Sequence, residues 1–146
     1  MTEDEFLKMI KELQKKIEYD EEKTYSKIVI REYRNPNNFG ILEHSDADGT
    51  VKGPCGDTMK ITLKIENGII ADARFWTDGC GATLACGNML TKIIKGKTPS
   101  KALEISQEDL ITGLGDLPKK HSHCAKLAVI TLHKALKNRL RENKYG

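Results

Sequence analysis

Apolar residues recur at two periods along this chain, and the change from one to the other divides it. Phe6, Ile10, Leu13 and Ile17 fall at helical spacing, which predicts an amphipathic helix over 3–19. The stretch from Lys23 to Tyr33 is polar and has no clear period. Asn35-Pro36-Asn37-Asn38 is turn chemistry and predicts a boundary there, with an N-terminal helical extension over 1–34 and the main domain over 35–146.

In the main domain the period shortens to two. Ile41 and Leu42 suggest an opening strand, and Asp46-Ala47-Asp48-Gly49 reads as a turn after it. Met59, Ile61, Leu63 and Ile65 alternate with polar residues, as a half-buried strand does. Asn67-Gly68 is a strong hairpin signal, and Ile69 to Trp76 returns as the partner strand. Helices follow. Gly81–Lys95 is stopped by Gly96, Thr98-Pro99 is an N-cap with proline at the first helical position, and Ser106 with Asp109 forms a capping box. A final helix from about Ser122 runs on Leu127, Ala128, Thr131, Ala135, Leu136 and Leu140. Strands first and helices second predict an α+β fold with helices on one sheet face.

Composition adds two constraints. No window approaches the ~18 consecutive apolar residues of a membrane span, and the acidic start MTEDEFLK is unlike a secretory signal, so a reducing cytoplasm is expected. Residues 1–25 carry eight acidic and five basic side chains, whereas 118–146 carry eight basic and one acidic. That basic end suits an acidic partner or a solvated face, and without an Arg-rich pattern or a stacking series it does not point to nucleic acid.

In a reducing compartment four cysteines suggest metal or sulfur chemistry before disulfides. Cys55 lies in the loop Gly53-Pro-Cys-Gly-Asp57, Cys80 in Asp78-Gly-Cys-Gly81, and Cys124 in His121-Ser-His-Cys124, all at element ends. The hairpin brings the first two loops to one end of the sheet. Soft thiolates select zinc, copper(I) or iron–sulfur clusters, and the spacing alone does not choose among them. Asp57 and His123 compete for a fourth ligand position, each with a plainer reading as a turn cap or an exposed helix-start residue. Cys124, in the first turn of a helix, is expected to have a depressed pKa and to accept sulfur as a persulfide. Cys86, inside a helix with an apolar side, reads as a core residue.

Pro54-Cys-Gly-Asp57, Asp72-Ala-Arg-Phe75, Gly79-Cys-Gly81, Lys95-Gly-Lys-Thr98 and His123-Cys124 occur in the order and spacing of the IscU family, equivalent to the N-terminal domain of NifU. The resemblance covers roughly residues 35–140. It implies a compact α+β fold with a three-stranded antiparallel sheet, and a scaffold rather than an enzyme. Such a scaffold takes sulfur from a cysteine desulfurase and iron from a donor such as a frataxin-like protein. It builds a transient [2Fe–2S] cluster and passes it to apo-proteins. The ligands it implies are Cys55, Cys80 and Cys124, with Asp57 and His123 as variable participants, and Zn2+ is a candidate occupant of the empty site. Leu117-Pro-Lys-Lys-His121 departs from the Leu-Pro-Pro-Val-Lys that a dedicated Hsp70 chaperone grips, which weakens the case for that partner. His121 and Cys86 are further departures, and the N-terminal helix is a candidate surface for self-association into a homodimer or for partner contact. A zinc-dependent sulfur acceptor resembling SufU is the competing expectation; the absence of an insertion between the second and third cysteines and the presence of His123 argue against it.

Overall fold

The structure, a computed structural model, describes residues 1–145, with side chains up to Arg139. Its N-terminal helix α1 (Glu3–Thr24) is closed at the start by a capping box between Thr2 and Glu5. It runs five residues past the predicted end, with Lys23 over the Tyr19 ring at 4.4 Å and the Thr24 hydroxyl donating to the Asp20 carbonyl. None of its side chains is buried, and Phe6, Leu13 and Ile17 stay about half exposed.

A second helix, α2 (Lys27–Arg34), fills the stretch whose period was unclear. The Ser26 hydroxyl caps it by accepting from the Val29 amide and donates to the Leu114 carbonyl at 2.5 Å. Unlike α1 it is seated in the core: Val29 is fully buried and the Glu32 side chain is 1% exposed. Burial opposes ionisation of Glu32. Lys92 at 2.8 Å, Asn88 at 2.5 Å and Arg31 more than offset it and hold the carboxyl below its ordinary pKa. Asn88 also accepts from the Asn38 amide, so one buried polar cluster fixes α2 and the turn after it.

Three antiparallel strands follow in the order β1 (Ala47–Lys52), β2 (Thr58–Glu66), β3 (Ile69–Thr77). The β2–β3 hairpin turns on Asn67 and Gly68, both at positive φ, as the sequence predicts. The first strand is a correction. Residues 39–46 form no strand beyond a single bridge from Phe39 to Phe75, and Asp46–Gly49, expected as a turn, leads into β1. Two aspartates and a glycine read as turn chemistry, yet each has a sheet role. The Asp46 side chain accepts the Ile65 amide, Asp48 pairs with Thr62, and Gly49 lies beneath a helix backbone.

The helix α3 (Gly81–Ile94) begins where predicted, α4 (Pro99–Ala102) and α5 (Gln107–Gly113) begin at their predicted Thr98 and Ser106 caps, and α6 (Ser122–Tyr145) follows a 3-10 turn over Lys119–His121. α3 crosses β3, where Gly87 lets it lie against the Phe75 ring, and α6 lies along β1 and β2. Met59, Ile61, Leu63, Ala73 and Phe75 meet Leu90, Leu132 and Leu136 in between. The Leu140 side chain, also expected on this face, lies outside the described residues. This is the predicted α+β arrangement, with the long helices on one face of the sheet and the other face bearing side chains such as Trp76 and Lys60. Among the described residues no helix is long and apolar enough to cross a membrane.

Candidate metal centre

Three segments meet at one end of the sheet: the β1–β2 connection carrying Cys55 and Asp57, the β3–α3 connection carrying Cys80, and the 3-10 turn leading into α6. Sheet register brings the first two together. Met59 pairs with Thr77, the Thr58 amide donates to Asp78 Oδ1 at 2.8 Å, and the Thr77 hydroxyl donates to the Thr58 carbonyl. The Cys55 loop is closed by a bond from the Gly53 amide to the Asp57 carbonyl, with Gly56 at φ +88°, which leaves Cys55 exposed at its tip.

Cys80 and Cys124 converge. Among the described residues, one ligand atom each from Cys80, His121 and Cys124 lie within 4.8 Å of one another. Cys55 and His123 stand outside this set, although His123 Nε2 is 3.6 Å from the Cys124 sulfur. Asp57 reaches the group through Thr83: the Thr83 hydroxyl lies 3.2 Å from Asp57 Oδ2, 3.3 Å from the Cys124 sulfur and 3.7 Å from the Cys80 sulfur. A single proton serves that hydroxyl. It can be given to the Asp57 carboxylate or to the Cys124 sulfur.

The two thiols differ in acidity, and the difference corrects the sequence expectation. Burial opposes ionisation of Cys80, but the Thr83 amide, the Thr83 hydroxyl and the Ala82 amide outweigh it and hold the thiol below its ordinary pKa. Cys80 is the N-cap of α3 and is exposed, so the helix-start effect expected for Cys124 is found here instead. Cys124 is fully buried. Burial pushes its thiol up to about 11 against the Thr83 hydrogen bond, and the neighbouring Cys80 and Asp57 add to the rise. In this position desolvation exceeds the helix effect. Cys86 is buried in the core, as expected, and burial drives its pKa upward too.

His121 and Thr83 are the residues that sequence reasoning did not place in the site. His121 offered a signal, as an extra imidazole three residues before Cys124. Thr83 offered none, since a threonine inside an apolar helix resembles any other core position. The His121 amide donates to the Pro118 carbonyl at 2.8 Å and its Nε2 lies 3.1 Å from the Tyr25 hydroxyl. Burial, then Lys120 and His123, hold its pKa below the usual histidine value, which favours the neutral ring a metal requires. Two sulfurs and an imidazole at this separation form a donor set suited to soft or borderline ions such as zinc and to iron–sulfur chemistry.

Known proteins resemble this chain in sequence and in fold. The family model described as the NifU-like N terminal domain matches residues 24–145. The iron–sulfur cluster assembly scaffold protein IscU 1 of Archaeoglobus fulgidus is 41% identical over 120 residues, covering 82% of this chain and 78% of that protein. IscU of Aquifex aeolicus is 41% identical over 119 residues (80% and 76%), and IscU of Escherichia coli 41% over 109 (71% and 84%). Among solved structures, the N-terminal part of a NifU-like protein from Brucella abortus superposes with a TM-score of 0.66 at 18% identity, covering 80% of this chain and 94% of that one. The SufU-type protein of Fervidobacterium islandicum gives 0.64 at 21% (77% and 96%). Both share the fold.

Proposed function

Because this chain belongs to the NifU-like N-terminal domain family, we propose that it builds its iron–sulfur cluster on Cys55, Cys80 and Cys124 and then releases it. It is an assembly scaffold and not an enzyme, and scaffolds of this family work with a cysteine desulfurase and apo-protein acceptors. The observation that carries the ligand assignment is the convergence of Cys80 and Cys124 with an imidazole at a loop end that also bears the exposed Cys55. Asp57 and His123 are the variable participants: one lies a hydroxyl away from Cys124 and the other lies beside its sulfur. The cargo in this reading is a [2Fe–2S] cluster, and zinc occupies the same thiolates when no cluster is present.

Cys124 is fully buried, so sulfur reception there requires a movement that exposes its sulfur. Cys80, exposed and more acidic, is the thiol already placed to react. Cytoplasmic assembly fits these free thiols. We also propose that the scaffold domain occupies 35–146, with 1–34 as its extension and α2 of that extension packed into the domain's core.

Anaerobic supply of iron, cysteine and a desulfurase tests the function. A sulfide-dependent chromophore should develop on the purified chain. Stoichiometric zinc without such a chromophore would overturn the scaffold reading in favour of a zinc-dependent sulfur acceptor. Asp57→Ala sharpens the test. An aspartate oxygen is a poor match for iron held among thiolates, so its removal should lengthen the cluster's lifetime and slow its transfer to an apo-acceptor several-fold. Faster cluster loss in that variant would contradict the role given to Asp57.

A further inference from the structure

His121 is an imidazole built into the centre by two devices. The 3-10 turn over Lys119–His121 is closed by the Pro118 carbonyl and the Ser122 hydroxyl, which donates to the Lys119 carbonyl at 2.9 Å. That turn sets His121, and not the nearer-in-sequence His123, within 4.8 Å of both sulfurs. The second device comes from the far end of the chain. Tyr25, at the joint between α1 and α2, places its hydroxyl 3.1 Å from His121 Nε2, with the two rings 5.6 Å apart. Tyr25 is braced edge-on by Tyr33, and the adjoining Ser26 is tied to the Leu114 carbonyl.

Metal-bound histidines almost always hand their second ring nitrogen to a fixed partner, which sets the tautomer and aims the ring. Tyr25 supplies such a partner: with Nε2–H donating to the tyrosine oxygen, the other nitrogen keeps its lone pair. We propose that His121 is a protein ligand, with Cys80 and Cys124, for a single borderline-soft divalent ion of the zinc type, and that the Tyr25 hydroxyl orients it. The fourth position then falls to the exposed loop thiol of Cys55 or to water, so the ion is held before or between clusters by a set that a cluster need not share. The proposal takes the metal-facing roles of Cys80 and Cys124 from the scaffold reading. It adds a ligand from this chain's own departure at position 121, and it makes the first helical segments part of the site.

Zinc titration of the full chain separates this inference from the scaffold reading. With imidazole nitrogens labelled, one equivalent of Zn2+ should move the His121 ring signals of the unaltered protein while those of His44 and His133 stay in place. Competition with a chromophoric chelator should show His121→Ala weakening Zn2+ binding by about a hundredfold and Tyr25→Phe by about tenfold, the range for loss of a ligand's outer partner being 10- to 100-fold. Tyr25→Phe should also alter the His121 tautomer signature, which a purely structural tyrosine would not do. Unmoved His121 signals on zinc addition, movement of His123 alone, or undiminished affinity in His121→Ala would each overturn the inference. Failure of the unaltered chain to form a sulfide-dependent chromophore sinks the scaffold reading instead, and it leaves the zinc titration to be read on its own.

Discussion

Cys80→Ser and Cys124→Ser are each expected to abolish the sulfide-dependent chromophore, whereas Cys86→Ser leaves it intact. A serine hydroxyl is a poor substitute for thiolate toward a soft metal, and the centre has no surplus of accessible sulfur: the remaining thiols are Cys55, at an exposed loop tip, and Cys86, which is buried. Cys124→Ser should fold, because the Thr83 hydroxyl at 3.3 Å can pair with the new hydroxyl. Cys86 is different in kind. It is fully enclosed within α3, and serine there buries a hydroxyl at a cost of about 1–3 kcal/mol. The expected result is a lower melting temperature with normal chromophore yield. Assembly measured beside far-ultraviolet circular dichroism distinguishes the two behaviours. A folded Cys86→Ser protein without cluster would show that a fourth thiol takes part.

Gly49→Ala is expected to be the most damaging single-methyl change in the sheet. A Cβ at Gly49 would lie 2.5 Å from the Ala135 backbone nitrogen and 2.9 Å from its Cα. Those atoms belong to the middle of α6 and cannot turn aside as a side chain would. Relief requires α6 to lift off β1, which separates it from the strands that form the floor of the core. We expect a loss of about 3 kcal/mol, at the upper end of ordinary overpacking. Gly53→Ala is the control. It stands just past the end of the same strand, its added Cβ makes ordinary contacts with Leu127 methyls at 3.5 Å and the Asp57 carbonyl oxygen at 3.6 Å, and its stability should change by under about 1 kcal/mol. Denaturant melts of both variants decide the matter. Equal midpoints would show that α6 does not press on Gly49 as described.

The same glycine shows where the sequence could be read and where it could not. β2, β3 and the caps of α4 and α5 are written in local chemistry: alternation over 59–65, Asn67-Gly68, Thr98-Pro99, Ser106 with Asp109. β1 is not, because its small and acidic residues are chosen for the close approach of α6 and for pairing with β2, contacts that involve partners far along the chain. In the centre, the approach of the Cys55 and Cys80 loops to one end of the sheet follows from the hairpin and is legible in the sequence. The acidity of Cys124 is not. A helix start can be seen in a sequence, but the burial that overrides it depends on the way the turn over 119–121 packs. The choice of His121 over His123 rests on that same turn, and the hub at Thr83 on the facing of one helical residue.

Cys80 and Cys124 ride on separate helices, and their sulfurs come together only when α3 and α6 are both docked on the sheet. An ion held between them therefore binds the folded chain and has no preformed site on the unfolded one. Occupancy and folding are thermodynamically linked. Free metal at a hundred times its dissociation constant adds about 2.7 kcal/mol to the folding equilibrium, a large share of what holds a domain together. Delivering the cargo withdraws that contribution, so the emptied scaffold returns to its next cycle as a less stable protein than the one that left it.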